Sequence, residues 1–121
     1  MDNVFTAIAR KETTLSPIME GKERISIDDI ISNYSDGITI IAFDIITTGA
    51  DSFPVLAFKE DAGIFAFGGA IIKNIIDGWI EHFEGDIETA NNELDKVGGV
   101  KVRFSKGRTK SGNNITNVEV L

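Results

Sequence analysis

The sequence predicts a mainly β domain with one substantial helix set between its third and fourth strands, and three observations predict it. Segments rich in β-branched and aromatic residues recur between turn signals at Ile38–Thr48, Phe53–Lys59 and Ile64–Phe67. The apolar period then changes to steps of three and four, with Ile71, Ile72, Ile75, Ile76, Trp79, Ile80 and Phe83 forming one helical stripe. Gly98-Gly99 finally releases the chain into two more strand-like segments, Val100–Phe104 and Ile115–Leu121. The order β-β-β-α-β-β matches the five-stranded OB-fold, a small, partly open Greek-key barrel. The first three strands are joined by turns too short for parallel crossovers.

Each element has a local reason. Residues 1–24 are the least decided part: Val4–Ala9 fits a short strand or a helix, Arg10–Ser16 is polar, and Pro17 punctuates. This segment is expected to be part of the barrel or a subunit contact, ahead of an OB-fold domain at residues 25–121. Ser26 can cap a short helix at 26–34, where Asp28 and Asp29 favour the positive end of the helix dipole and Ile27, Ile30, Ile31 and Tyr34 share a face. Ser35-Asp36-Gly37, Gly49-Ala50-Asp51 and Glu60-Asp61-Ala62-Gly63 are turns. Pro54 falls near the start of its strand, where a missing N–H is tolerable. A second helical piece runs from Ile87 to about Leu94, capped by Asp86.

Composition narrows the class. At 121 residues the chain is one domain, and its apolar and charged fractions are ordinary for a folded protein. No apolar run approaches the roughly 20 residues of a membrane-spanning helix, and Met1-Asp2-Asn3 lacks the basic start of a secretory signal. There is no cysteine and a single histidine, His82, so thiolate and histidine metal sites are not expected. The reading is a soluble cytoplasmic protein without metal or organic cofactor. It is not expected to be an enzyme, because acyl transfer needs a nucleophile beside a base. The paired carboxylates Asp28/Asp29 and Glu60/Asp61 have helix-start and turn explanations. Gly68-Gly69 reads as a tight strand-to-helix corner, since no phosphate-loop pattern accompanies it. Asp44 is the one charge in its strand, pointing out of the barrel, pairing with a lysine or shaping a binding face.

Charge is distributed unevenly. Residues 96–121 hold six cations and one acid, a net +5, whereas residues 1–95 hold six cations and eighteen acids, a net −12. In Val100-Lys101-Val102-Arg103-Phe104 apolar and cationic side chains alternate, as a half-buried strand requires. The connection Ser105–Asn114 adds Lys106, Arg108 and Lys110. Single-strand binders combine such a cationic track with aromatic faces on which bases stack. In an OB barrel the ligand surface is strands two and three with the loops between strands one–two and four–five. Lys59 ends the second strand, and Phe53, Phe58, Phe65 and Phe67 lie on strands two and three. Alternation puts Phe53 and Phe58 on opposite faces, whereas Phe65 and Phe67 share one.

Several stretches resemble small phage-encoded single-stranded DNA-binding proteins of Gram-positive hosts. They are Ile27-Asp28-Asp29-Ile30-Ile31, Asp36-Gly37-Ile38-Thr39-Ile40-Ile41-Ala42-Phe43-Asp44, Pro54-Val55-Leu56-Ala57-Phe58-Lys59-Glu60-Asp61, Phe67-Gly68-Gly69 and the closing hairpin from Lys106 to Leu121. The resemblance implies an OB-fold protein that covers single-stranded DNA in phage replication or recombination without base preference, in the host cytoplasm. It also implies a homo-oligomer, a dimer or tetramer. On this reading Lys101, Arg103, Lys106, Arg108, Lys110 and Lys59 meet phosphates, and one or more of Phe53, Phe58, Phe65 and Phe67 stack on bases. The chain departs from many single-strand binders in its acidic body, and the acidic tail with which many of them end is not expected from a sequence whose last residues, to Leu121, read as strand. The alternative is an OB-fold interaction or scaffold module that binds no nucleic acid.

Overall fold

The structure is a computed structural model and describes residues 17–48 and 51–121. The readings for Val4–Ala9 and for the turn residues Gly49 and Ala50 fall outside the described residues. After a 3-10 turn at Pro17–Met19 come β1 (Glu23–Arg24), α1 (Ile27–Asn33), β2 (Ile38–Thr48), β3 (Asp51–Phe58) and β4 (Ile64–Phe67). These are followed by α2 (Ala70–His82), α3 (Ile87–Lys96), β5 (Val100–Arg108) and β6 (Asn114–Val120). The protein is a mixed α/β, strand-rich fold. No helix among the described residues is long and apolar enough to cross a membrane.

The helix starts follow the local chemistry. The Ser26 hydroxyl accepts the Asp29 N–H at 3.1 Å, and the Asp86 carboxylate accepts the N–H groups of Glu88 and Thr89 at 3.1 and 3.3 Å. Each bond satisfies a donor that the first helical turn leaves unpaired. α2 starts instead from Gly69, which supplies no side-chain cap. At Gly68 the corner is so tight that a Cβ would come within 2.1 Å of Ile72 Cγ2, so the turn into α2 requires glycine.

The six strands form one sheet in the order β1-β4-β3-β2-β5-β6. β2, β3 and β4 form an antiparallel meander, and β5 returns through α2 and α3 to pair with β2. The resulting run β5-β2-β3-β4 is a Greek-key order. The sheet is not closed: it has two edges, β1 and β6. The sheet thus has six strands where five were expected. The extra strand is β1, which runs parallel to β4 through Glu23↔Ile64 and Arg24↔Phe65 and occupies that strand's outer edge. A two-residue strand has no periodicity by which sequence could reveal it.

The sheet buries residues on both faces. The helix-covered face carries the main core, in which Ile38, Ile40, Phe43, Leu56, Phe58, Ala66, Ile72, Ile76, Val102 and Phe104 are buried together. On the opposite face Ile46, Val55 and Phe65 form a second cluster, with Ile18, Met19, Phe53 and Phe67 packed against it. The register of β2 against β3 shifts between Ile40 and Ala42, and this bulge resets the alternation. Ile38 and Ile40 before it and Phe43 after it therefore all reach the main core, although their spacing breaks a strict period of two.

β5 pairs with β2 only through Ile38–Ile40. Beyond that point the backbone of Phe43 is met by Asn91 from α3. The Asn91 side chain accepts the Phe43 N–H at 2.9 Å and donates to the Phe43 carbonyl at 2.8 Å. A helix side chain thus replaces the missing strand, as buried backbone polar groups demand. Trp79 of α2 packs on Phe43 with ring centroids 5.7 Å apart.

Candidate nucleic-acid interface

β5 is longer than the sequence suggested, reaching Arg108 rather than Phe104, while β6 is shifted by one residue, and this redistributes the cations. Their ladder continues through Ser105↔Asn117, Lys106↔Thr116, Gly107↔Ile115 and Arg108↔Asn114. Only Thr109–Asn113 forms the tip, closed by the Thr109 N–H on the Asn113 carbonyl at 2.9 Å. Lys106 and Arg108 are therefore strand residues, a correction to their placement in a flexible loop; Lys110 remains in the tip. At Gly107 the Asn117 side-chain amide occupies the space of the absent Cβ, 2.4 Å from where it would stand.

The pleat then divides the cations between two faces. Val102 and Phe104 point into the main core, so Lys101 and Arg103 point to the opposite, outer face. Lys106 and Arg108 fall in the same alternation as Val102 and Phe104, past the end of the core. Lys106 accordingly reaches Asp28 at the start of α1, Nζ to carboxylate 3.0 Å. These two line a polar cleft of about 330 Å³ with Asn114, Ile115 and Thr116. Arg103 is bonded across the hairpin to Glu119. Both pairs are solvent-exposed, so each is worth about 0–1 kcal/mol and yields readily to a competing anion.

Lys59 belongs to the outer-face group. Its N–H donates to the Thr39 carbonyl at 3.0 Å, and Thr39 pairs in register with Lys101. One row across β3, β2 and β5 therefore presents Lys59, Thr39 and Lys101. The Thr39 hydroxyl and N–H both donate to Glu60, at 2.8 Å to Oε2 and 2.8 Å to Oε1 respectively. Among the described residues Lys59 and Lys101 have no carboxylate at ion-pair distance.

The four phenylalanines separate as their parity requires. Phe58 is 1% exposed in the main core and offers no ring face, so the structure removes it from the stacking candidates. Phe65 is nearly buried on the outer face, 9% exposed. Phe53 and Phe67 are half-buried on that face, edge to face at 5.1 Å, and Phe67 meets Phe65 at 5.6 Å. The Arg24 guanidinium lies over Phe67 at 4.6 Å from the ring centroid. The sequence reading missed Arg24, because only the β1–β4 pairing brings it there. Ile18 and Met19 of the 3-10 turn pack on the second cluster, which leaves Phe53 and Phe67 as its more open rings.

Asp44 also lies on the outer face, opposite Val55 in register; its carboxylate accepts the Ile45 N–H at 2.8 Å. His82 ends α2 and is exposed, against the Phe83 ring at 5.0 Å. The outer face thus gathers Lys59, Lys101 and Arg103 at β5 and its neighbours, and Phe53, Phe67 and Arg24 at β3, β4 and β1. Lys106 and Arg108 turn toward α1, and Phe58 turns inward. No protein-family model, curated protein or solved structure matches the chain.

Proposed function

We propose that the protein binds single-stranded DNA without sequence preference on the outer face of its sheet, during replication or recombination. The fold proposed for it is OB-type, a partly open barrel built on β2 to β6 with β1 added at the β4 edge. One observation carries the reading: half-buried Phe53 and Phe67 share a sheet face with Lys59 and Lys101, which have no carboxylate at ion-pair distance among the described residues. Bases would stack on the rings while the lysines, and Arg103 once released from Glu119, neutralise phosphates. Arg24 fits the same role, its guanidinium already placed on an aromatic face. The net charge of −7 keeps duplex polyanions from adhering indiscriminately. Lys106, Arg108 and Lys110 extend the cationic track around the hairpin.

Electrophoretic mobility shift with oligo-dT at low salt tests this directly. A complex that weakens steeply as salt rises is the expected result. Absence of any complex at tens of micromolar protein overturns the proposal and leaves an interaction module in its place.

A further inference from the structure

A second surface lies on the helices, away from the sheet's outer face. Trp79 and Phe83 of α2, Ala90, Glu93 and Leu94 of α3, Val97 and Val100 line a groove of about 240 Å³. Val97 is 72% exposed, the most exposed large apolar side chain among the described residues. Ala90, Glu93, Leu94 and Val97 recur at helical spacing, so the groove runs along one face of α3. Phe83 also borders the adjoining polar depression formed with His82, Glu84, Asp86 and Thr89. The two features join at that ring into one furrow, apolar at one end and acidic at the other.

The acidic side chains that line the two features are Glu93, Glu84 and Asp86, and neither lining holds a lysine or arginine. Two cations border the furrow: Lys96 is tied to Glu93 at 2.9 Å in an exposed pair that another cation can replace at little cost, and Lys59 Nζ lies 3.9 Å from the Cβ position of Gly98, beside Val97. An apolar floor with an acidic rim is complementary to a segment that presents apolar anchors on one side and lysine or arginine beside them. Neither DNA nor an acidic segment fits, since both bring negative charge to this rim. The protein's own hairpin tip, Thr109–Asn113, offers a cation but no apolar anchor.

We infer that this furrow is a docking site for a basic amphipathic segment of a partner protein, its apolar side chains seated between Trp79 and Val97 and its cations over Glu84 and Glu93. The site lies on the helices and meets the sheet face proposed for DNA only at Lys59, whose Nζ lies 3.9 Å from the Cβ position of Gly98.

Trp79 is the only tryptophan and lies in the groove, which makes the full-length protein its own reporter. It is titrated with a synthetic amphipathic helix of leucine and lysine, and with its leucine–glutamate counterpart, following Trp79 emission. The expected result is a saturable shift with the lysine peptide alone, weakened about tenfold or more by Val97→Glu and also by Glu93→Lys. Both substitutions are at accessible positions, so unchanged melting and unchanged oligo-dT binding verify that the fold is kept. Equal binding by wild type and both variants, or equal binding of the glutamate peptide, overturns the inference. So does sedimentation showing a dimer that Val97→Glu splits, because the groove's occupant is then a second copy.

Discussion

The two faces of the sheet use the same residue types for opposite purposes. The helix-covered face takes Phe43, Phe58 and Phe104 out of water almost entirely. On the outer face Phe65 is nearly buried, but Phe53 and Phe67 keep part of their rings open and Arg24 lies on one of them. The difference comes from what covers each face. α1, α2 and α3 seal the first, whereas among the described residues the second has only Ile18 and Met19 of a three-residue turn packed on its apolar cluster. An aromatic residue on the helix-covered face is therefore structural, whereas the outer face leaves Phe53 and Phe67 partly open although it buries Phe65, and substitutions at Phe58 and Phe67 are expected to separate stability from binding.

The largest effect is expected from Phe58→Ala. Removing a fully buried ring costs about 3–5 kcal/mol through lost transfer energy and the cavity left behind, a large share of the roughly 5–15 kcal/mol that holds a domain folded. Chemical denaturation should show it as a lower midpoint, with oligo-dT affinity of the remaining folded protein unchanged. A folded variant that loses DNA binding would mean that the inner face takes part, and the contrast between the faces would fail.

Phe67→Ala is the outer-face counterpart. Loss of a stacking ring is worth about 1–3 kcal/mol per base, close to tenfold or more in Kd. Its cost in stability should be smaller than that of Phe58→Ala, since the ring is only half-buried and its cation–π contact with Arg24 contributes about 0.5–1 kcal/mol. Fluorescence-anisotropy titration with labelled oligo-dT measures the first quantity and denaturation the second.

The cations give a finer test. Each phosphate contact to a single strand contributes about 0.7 to the slope of log K against log salt. Lys101→Ala should reduce that slope by about this amount, and Lys59→Ala similarly. Lys106→Ala should change it less, because the pleat turns Lys106 toward Asp28. Its effect on stability should stay within the roughly 0–1 kcal/mol of an exposed pair. Equal slopes for Lys101→Ala and Lys106→Ala would show that the strand wraps the hairpin and contacts both sides.

How much of this the sequence shows depends on how local each cause is. The caps at Ser26 and Asp86, the helical stripe from Ile71 to Phe83 and the corner at Gly68 are set by neighbours within a few positions, and all are readable. The opposite parity of Phe53 and Phe58 is readable for the same reason. Which face is open is not, because Val55, Leu56, Ala57 and Phe58 are all buried and β3 is apolar on both sides. The bulge after Ile40 hides parity in β2, the two-residue β1 has no pattern, and Arg24 reaches Phe67 only through tertiary pairing. The reach of β5 to Arg108 was masked by Gly107, which reads as loop but here makes room for Asn117.

The smallest predicted effect lies on the helix side and depends on pH. Asp86 is held below the usual carboxylate range, first by the Thr89 hydroxyl, which donates to it at 2.9 Å, then by the N–H groups of Thr89 and Glu88. A carboxylate whose pKa is lower when folded binds protons more weakly in that state, so it stabilises the fold above its unfolded pKa and loses that contribution as pH falls through the folded one. The melting temperatures of wild type and Asp86→Ala should therefore differ by a constant amount near neutral pH and converge in acid. Since α3 secures the Phe43 backbone through Asn91, the loss should loosen the helix-covered face first. Amide exchange at Phe43 should rise before exchange along the β5–β6 ladder. A simultaneous rise at both would mean that the two faces open as one cooperative unit, and that their separation governs binding but not unfolding.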